Sequence, residues 1–104
     1  MSIGPLCPGA VADLEVEVDA RAAAEHLARS LTFRTVSPPP PTPHDSSAFR
    51  ALHDHFAGTY PEHHAALERE TVSGLSFLYA WEGADPRLPP AVLMGHLDVV
   101  PVTP

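Results

Sequence analysis

Lysine is absent from the 104-residue sequence, cysteine occurs once, and aromatic residues make up only 7%. All six basic residues are arginines, set against 13 Asp plus Glu, for a formal charge of −7. That balance argues against a nucleic-acid partner, because affinity for a phosphate backbone comes mostly from clustered Lys and Arg. Anionic membrane surfaces are disfavoured for the same reason. No apolar run approaches the roughly 20 residues that a membrane-spanning helix needs. The lone Cys7 excludes an internal disulfide framework, and no basic or His neighbour in sequence would lower its pKa enough to make it reactive. Met1 to Ala12 carries no positive charge ahead of its apolar residues, and Pro5, Pro8 and Gly9 interrupt them, which does not fit an export signal. The expectation is a soluble, acidic, cytoplasmic chain with neither nucleic acid nor membrane as partner.

What the sequence does hold is a globular balance of 44% hydrophobic and 18% charged residues, enough for one domain. Its 13 prolines are more than twice the roughly 5% average, so regular structure must be interrupted often. Residues 1–18 read as a leader of low order. Within it Leu14, Val16 and Val18 alternate with Asp13, Glu15 and Glu17, as a short strand or an exposed extended segment would.

Organised structure is expected over 19–104. Asp19 can cap a helix running to about Phe33, with Ala20, Ala23, Ala24, Leu27 and Leu31 on one face and a Glu25–Arg29 pair outside it. Pro38 to Pro41 and Pro43 form a stiff connector, more plausible as a spacer than as a groove-binding motif. A second helix starts at Ser46 or Ser47, carries Phe49, Leu52 and Phe56 at helical spacing, and ends near Gly58 and Pro61. The period then changes. A strand from about Ala65 to Val72, a two-residue turn at Ser73-Gly74, and a strand with Leu75, Phe77, Tyr79 and Trp81 on one buried face make a hairpin. After the turn-rich Gly83 to Pro90, the continuous apolar run Ala91 to Gly95 reads as a strand buried on both sides. Its burial would require more sheet than one hairpin supplies. The fold class is α/β.

That last strand leads into His96-Leu97-Asp98. Residues two apart on an extended chain project to the same side, so the sequence presents an imidazole and a carboxylate together at a strand's C-terminal end. A neutral imidazole binds zinc well, and a carboxylate behind it fixes the ring and raises its basicity. Taken alone, the triplet is just as well a solvated polar pair at a sheet edge.

Residues 91–102, AVLMGHLDVVPV, resemble the first metal-binding motif of the carboxypeptidase S and aminoacylase family of di-zinc metallopeptidases. The preceding SFLYAWEGADPRLPP is similar to the carboxypeptidase S branch of that family. LARSLTFRTVS resembles the end of the family's first helix, with Phe33-Arg34 where Ile-Pro is usual, and SSAFRALHDHFAGTYP resembles its second helix. The resemblance implies a partial zinc-exopeptidase-like catalytic domain: two N-terminal helices, then a β-hairpin and a buried strand of a mixed sheet flanked by helices. It implies His96 as a ligand of one of two zinc ions and Asp98 as the catalytic-site carboxylate that positions and tunes it. The substrates implied are small peptides cleaved at the C-terminal bond or N-acyl amino acids, with same-family deacylation (aminoacylase or acetylornithine deacetylase type) as the alternative. Family members often form homodimers through a domain that has no counterpart here. The family's bridging aspartate, its Glu-Glu pair with the general base, a further carboxylate and a distal histidine also lie downstream of this motif. A catalytic zinc normally has three protein ligands, so the 104 residues alone are expected to be inactive, and a non-catalytic remnant acting as an interaction piece is the rival reading.

The other histidines carry no such signal. His53 and His55 lie two apart on the second helix and cannot chelate together, and His63-His64 falls in an expected loop. These four, with His26 and His44, read as solvated surface residues, and Tyr79 and Trp81 as hairpin core.

Overall fold

Asp19 does open the first helix: its Oδ1 accepts the Ala22 N–H at 2.9 Å, closing one of the free donors of the first turn. The computed structural model describes residues 15–102. Residues 15–19 have no regular structure, and Val16 and Val18 are exposed, so this part of the leader is exposed chain and not strand. Leu14, Cys7 and the rest of the leader lie outside the described residues.

The first helix, α1 (Ala20–Ser30), stops three residues short of Phe33. The Leu31 N–H turns back on Leu27 O, and the Thr32 side chain and amide both bond Arg29 O, at 2.7 and 3.1 Å. A Thr hydroxyl that captures a carbonyl in this way competes with the next helical turn. Glu25 pairs backwards with Arg21 (Nε–Oε1 2.9 Å), not forwards with Arg29, whose guanidinium lies 5.4 Å from the Phe33 ring centre. Both charges of that pair are well exposed, so it adds little stability. The Leu27 and Leu31 face does not close against a neighbour. Both side chains remain about 60% exposed along an open cleft.

The connector bends: the Thr42 N–H donates to Pro39 O at 3.2 Å, making a turn inside the proline run where a straight spacer was expected. The second helix, α2 (Ser46–Thr59), is capped one residue earlier than expected, by Asp45, whose Oδ1 accepts the Ser47 N–H at 3.0 Å. The Ser47 hydroxyl and amide bonds hold the Asp45 carboxyl below its ordinary range. Gly58 is helical, and the helix runs past it to Thr59. Pro61 then starts a third helix, α3 (Pro61–Ala66), that the sequence reading missed. Proline stops a helix only in its interior. At the first position its missing N–H has no bond to lose. His63 and His64 therefore lie on a helix.

The hairpin is present with shorter strands, β1 (Glu68–Val72) and β2 (Ser76–Ala80), because Ala65 and Ala66 belong to α3. They pair antiparallel from Glu68↔Ala80 to Val72↔Ser76. Three residues, not two, join them: Ser73, Gly74 and Leu75, with positive φ at Ser73 (52°) and Gly74 (81°). The alternation holds for Leu75, Phe77 and Tyr79, all half-buried, but fails at Trp81, which is 85% exposed and not hairpin core. Trp81 lies beyond the last paired residue, Ala80, so no strand covers it.

The expected buried strand Ala91 to Gly95 is not formed. Val92, Leu93 and Met94 are 75%, 97% and 93% exposed. A strand buried on both sides needs a neighbour at each edge. Among the described residues the two strands pair only with each other, and the nearest sheet-like contact is an isolated parallel bridge, Val36↔Val99. The coarse class is as expected, helices with a small antiparallel sheet, but the helices number three among the described residues. Among the described residues the buried side chains are Phe49 and Leu52 of α2 and, unusually, the polar Thr35.

Among the described residues, Gly74 is the one glycine whose backbone, at positive φ, requires its lack of a side chain. Gly74→Ala is expected to lower the urea stability by about 1 kcal/mol, since an L-residue is disfavoured at that φ. Ser73→Gly is expected to be neutral or mildly stabilising in the same titration.

Candidate functional site

Leu97 and Asp98 belong to no strand and Val99 forms an isolated bridge to Val36, yet the expected pair is brought together: His96 Nδ1 lies 3.1 Å from Asp98 Oδ1. An ionised carboxylate only accepts, so Nδ1 carries the proton and Nε2 the free lone pair. The imidazole is 91% exposed and the Asp98 side chain 37%. Among the described residues Nε2 makes no hydrogen bond. The Ser37 hydroxyl, first, and the His96 ring, second, hold the Asp98 carboxyl below the usual carboxylate range.

What holds this tripeptide is the segment after α1. Thr35 Oγ1 donates to Leu97 O at 2.8 Å, and Thr35 O accepts the Val99 N–H at 2.9 Å. Two open clefts meet at the pair. One runs between α1 and α2, past Leu27, Leu31, Leu52 and Phe56, and the other between α2 and the hairpin, past Phe49, Phe77 and Tyr79. His96 and Asp98 border both. Sequence reasoning named His96 and Asp98 but passed over Thr35 and Ser37, which it noticed only as a helix ending.

Such a pair can grip a cation through Nε2, because the carboxylate holds the ring and its Nδ1–H tautomer. The donor set fits one ligand position and the group that orients it. It does not fit a whole metal site. Among the described residues no three His, Cys, Asp or Glu side chains gather closely enough to hold an ion.

Four of the remaining histidines are not solvated bystanders, contrary to expectation: His26, His53, His55 and His64 are half-buried, whereas His44 and His63 are exposed, as expected. His53 donates Nε2–H to Leu75 O at 3.1 Å and lies 4.0 Å, centre to centre, from the Phe77 ring, which Arg69 covers from 4.8 Å. His64 donates Nδ1–H to Tyr60 O and accepts the Tyr79 hydroxyl at Nε2, both at 2.9 Å. His55 is half-buried near Phe33, and His26 meets the edge of Tyr60. Each of these rings ties one element to another. Their partners lie on other elements or at the helix ends, so no local spacing announced them.

Burial pushes the His53 pKa below its usual 6.5, despite the opposing bond to Leu75 O. The folded state then prefers neutral His53, while the unfolded chain takes up its proton from about pH 6.5 downwards. The stability it lends is complete above that pH and falls between it and the lower folded value. NMR titration of the ring protons is expected to give a midpoint below 6.5. His53→Gln should flatten part of the acid-side slope of the urea midpoint.

No family model matches the chain, and no solved structure does. Curated proteins do. Carboxypeptidase S of Saccharomyces cerevisiae is 54% identical over 54 residues, covering 52% of this chain and 9% of the yeast protein. A putative carboxypeptidase of the same yeast is 47% identical over 66 residues, 60% of this chain and 11% of the relative. Probable carboxypeptidase S-like 2 of Dictyostelium discoideum is 35% identical over 80 residues, 75% of this chain and 15% of the relative. The chain thus spans 9% to 15% of the length of these relatives. The curated relatives that this chain matches over half to three quarters of its length are carboxypeptidase S, a putative carboxypeptidase and carboxypeptidase S-like proteins, and it is recognised as a relative of theirs.

Proposed function

We propose that this chain supplies one corner of a zinc-dependent hydrolase site, with His96 as a metal ligand through Nε2 and Asp98 as the carboxylate that orients it. Residues 19–104 would then be the N-terminal portion of a metallopeptidase catalytic domain, preceded by the leader 1–18. The observation that carries the reading is the 3.1 Å Nδ1–Oδ1 contact, which leaves the Nε2 lone pair of an exposed ring unengaged. The carboxypeptidase relatives support it independently.

The chemistry asks little of these two residues individually. Asp98 accepts a hydrogen bond from Nδ1–H, which fixes the tautomer and leaves the Nε2 lone pair free. Ser37 favours the charged form of the carboxylate. When bound, zinc lowers the pKa of water and polarises an amide carbonyl. The substrate class is a small peptide cut at its C-terminal bond or an N-acyl amino acid. The apolar clefts on either side of His96 suit the hydrophobic part of such a molecule. The reading includes self-association of the family type and cytoplasmic residence, and no helix among the described residues is long and apolar enough to cross a membrane.

Zinc titrated into the 104-residue chain should shift the His96 ring resonances first, with weak affinity because one imidazole is far from a full ligand set. His96→Ala should abolish that response, and Asp98→Asn should weaken it by about tenfold. No metal-dependent amide hydrolysis is expected from the chain by itself. Zinc perturbing His53 or His64 while leaving His96 untouched would overturn the assignment. Hydrolysis by the isolated chain would overturn the view that the ligand set is partial.

A further inference from the structure

Thr35 is 1% exposed, deeper than Phe49 or Leu52, although it carries a hydroxyl. Burying a hydroxyl is costly unless it is bonded, so its partners say what the position is for. Both partners lie 62 to 64 residues away, and both flank one residue. Oγ1 donates to the Leu97 carbonyl, which belongs to the peptide plane before the Cα of Asp98. The Thr35 carbonyl accepts the Val99 N–H, which belongs to the plane after it.

Fixing the planes on both sides of a Cα fixes its φ and ψ, and with them the direction of the Cα–Cβ bond. At Asp98 that bond aims the carboxylate at His96. The side chains of the pair are exposed, and an exposed contact of 3.1 Å is not held by packing. The backbone beneath it is held, by a residue that water does not reach.

We propose that Thr35 is a positioning residue for the His96–Asp98 pair: it clamps the peptide planes on either side of Asp98, so that the carboxylate keeps His96 in the Nδ1–H tautomer with Nε2 free. This rests on the reading of the pair as a functional unit and adds to it the device that sets its geometry. Thr35 touches neither side chain of the pair. It acts through Leu97 and Val99, and the quantity it controls is a tautomer ratio, which core stability alone does not set.

The test uses the 15N-labelled 104-residue chain without metal, at a pH where the imidazoles are neutral. Long-range 1H–15N spectra report the tautomer of each ring. His53, locked as Nε2–H on Leu75 O, serves as the internal reporter of the fold. Wild type is expected to show His96 mainly as Nδ1–H. Thr35→Val keeps the shape and removes the hydroxyl, and is expected to turn Nε2–H into the major form at His96 while leaving His53 unchanged. Thr35→Ser restores the hydroxyl, and should restore the wild-type pattern.

An unchanged His96 in Thr35→Val overturns the proposal, as does a Thr35→Ser chain that behaves like Thr35→Val. Loss of the His53 signature together with that of His96 in Thr35→Val also overturns it, because Thr35 would then be holding the fold and not the pair. A wild-type His96 already in the Nε2–H form defeats both this inference and the functional reading. A failed zinc titration with the tautomer pattern intact defeats only the latter.

Discussion

Everything at the site depends on one piece of docking: Thr35 and Val36 laid parallel beside Leu97 to Val99, with Val36 opposite Val99. The Thr35 and Leu97 partners are 62 residues apart in sequence, and this is where the end of α1 meets the histidine motif. Closing a flexible loop of that length costs about 4 kcal/mol by the usual logarithmic scaling. Two hydrogen bonds return about 1 to 3 kcal/mol net. The contact therefore does not close the loop unaided. The chain between its ends must already be shortened by structure of its own.

That shortening is the work of α2. Its buried Phe49 and Leu52 contribute the apolar burial, and its other side chains reach both ways. His53 bonds the hairpin loop at Leu75 and lies against Phe77 of β2. Leu52 and Phe56 face the cleft shared with α1. Tyr60 hands the chain directly to α3, whose His64 bonds the Tyr79 hydroxyl on β2. Among the described residues the apolar core is two side chains, yet the elements are stitched by polar rings at their edges. A histidine suits this role because it combines an aromatic face for packing with one donor and one acceptor for fixed partners.

The local rules were legible. A capping aspartate before an alanine-rich run, a proline that breaks a periodic stripe, and alternating aromatics beside Ser-Gly gave α1, the end of α2 and the hairpin. The i, i+2 spacing of His96 and Asp98 on extended backbone placed both groups on one side, and the structure joins them at 3.1 Å. What stayed hidden depends on residues distant in sequence. Nothing local distinguishes Thr35, with its partners at Leu97 and Val99, from any threonine after a helix. Pro61 marks the end of α2 as expected, but α3, which it also starts, stayed hidden because a helix stop and a helix start share the same residue. The same logic failed for His53 and His64, whose partners sit on the hairpin and at a helix end.

The run Val92 to Met94 shows the opposite failure: its pattern was read correctly and its surroundings were not. A continuous apolar stretch asks for neighbours on both faces, and the described residues offer none, so it lies exposed. Since Gly95 and His96 follow at once, the openness of the imidazole has the same origin. Its geometry does not. Covering the run would bury more apolar area, but the aim of Asp98 at His96 is set by the backbone on the far side of the pair, at Leu97 and Val99. The tuning of the ligand and the burial of the strand that carries it are thus separable. A chain spanning 9% to 15% of its relatives' length can hold the first without the second.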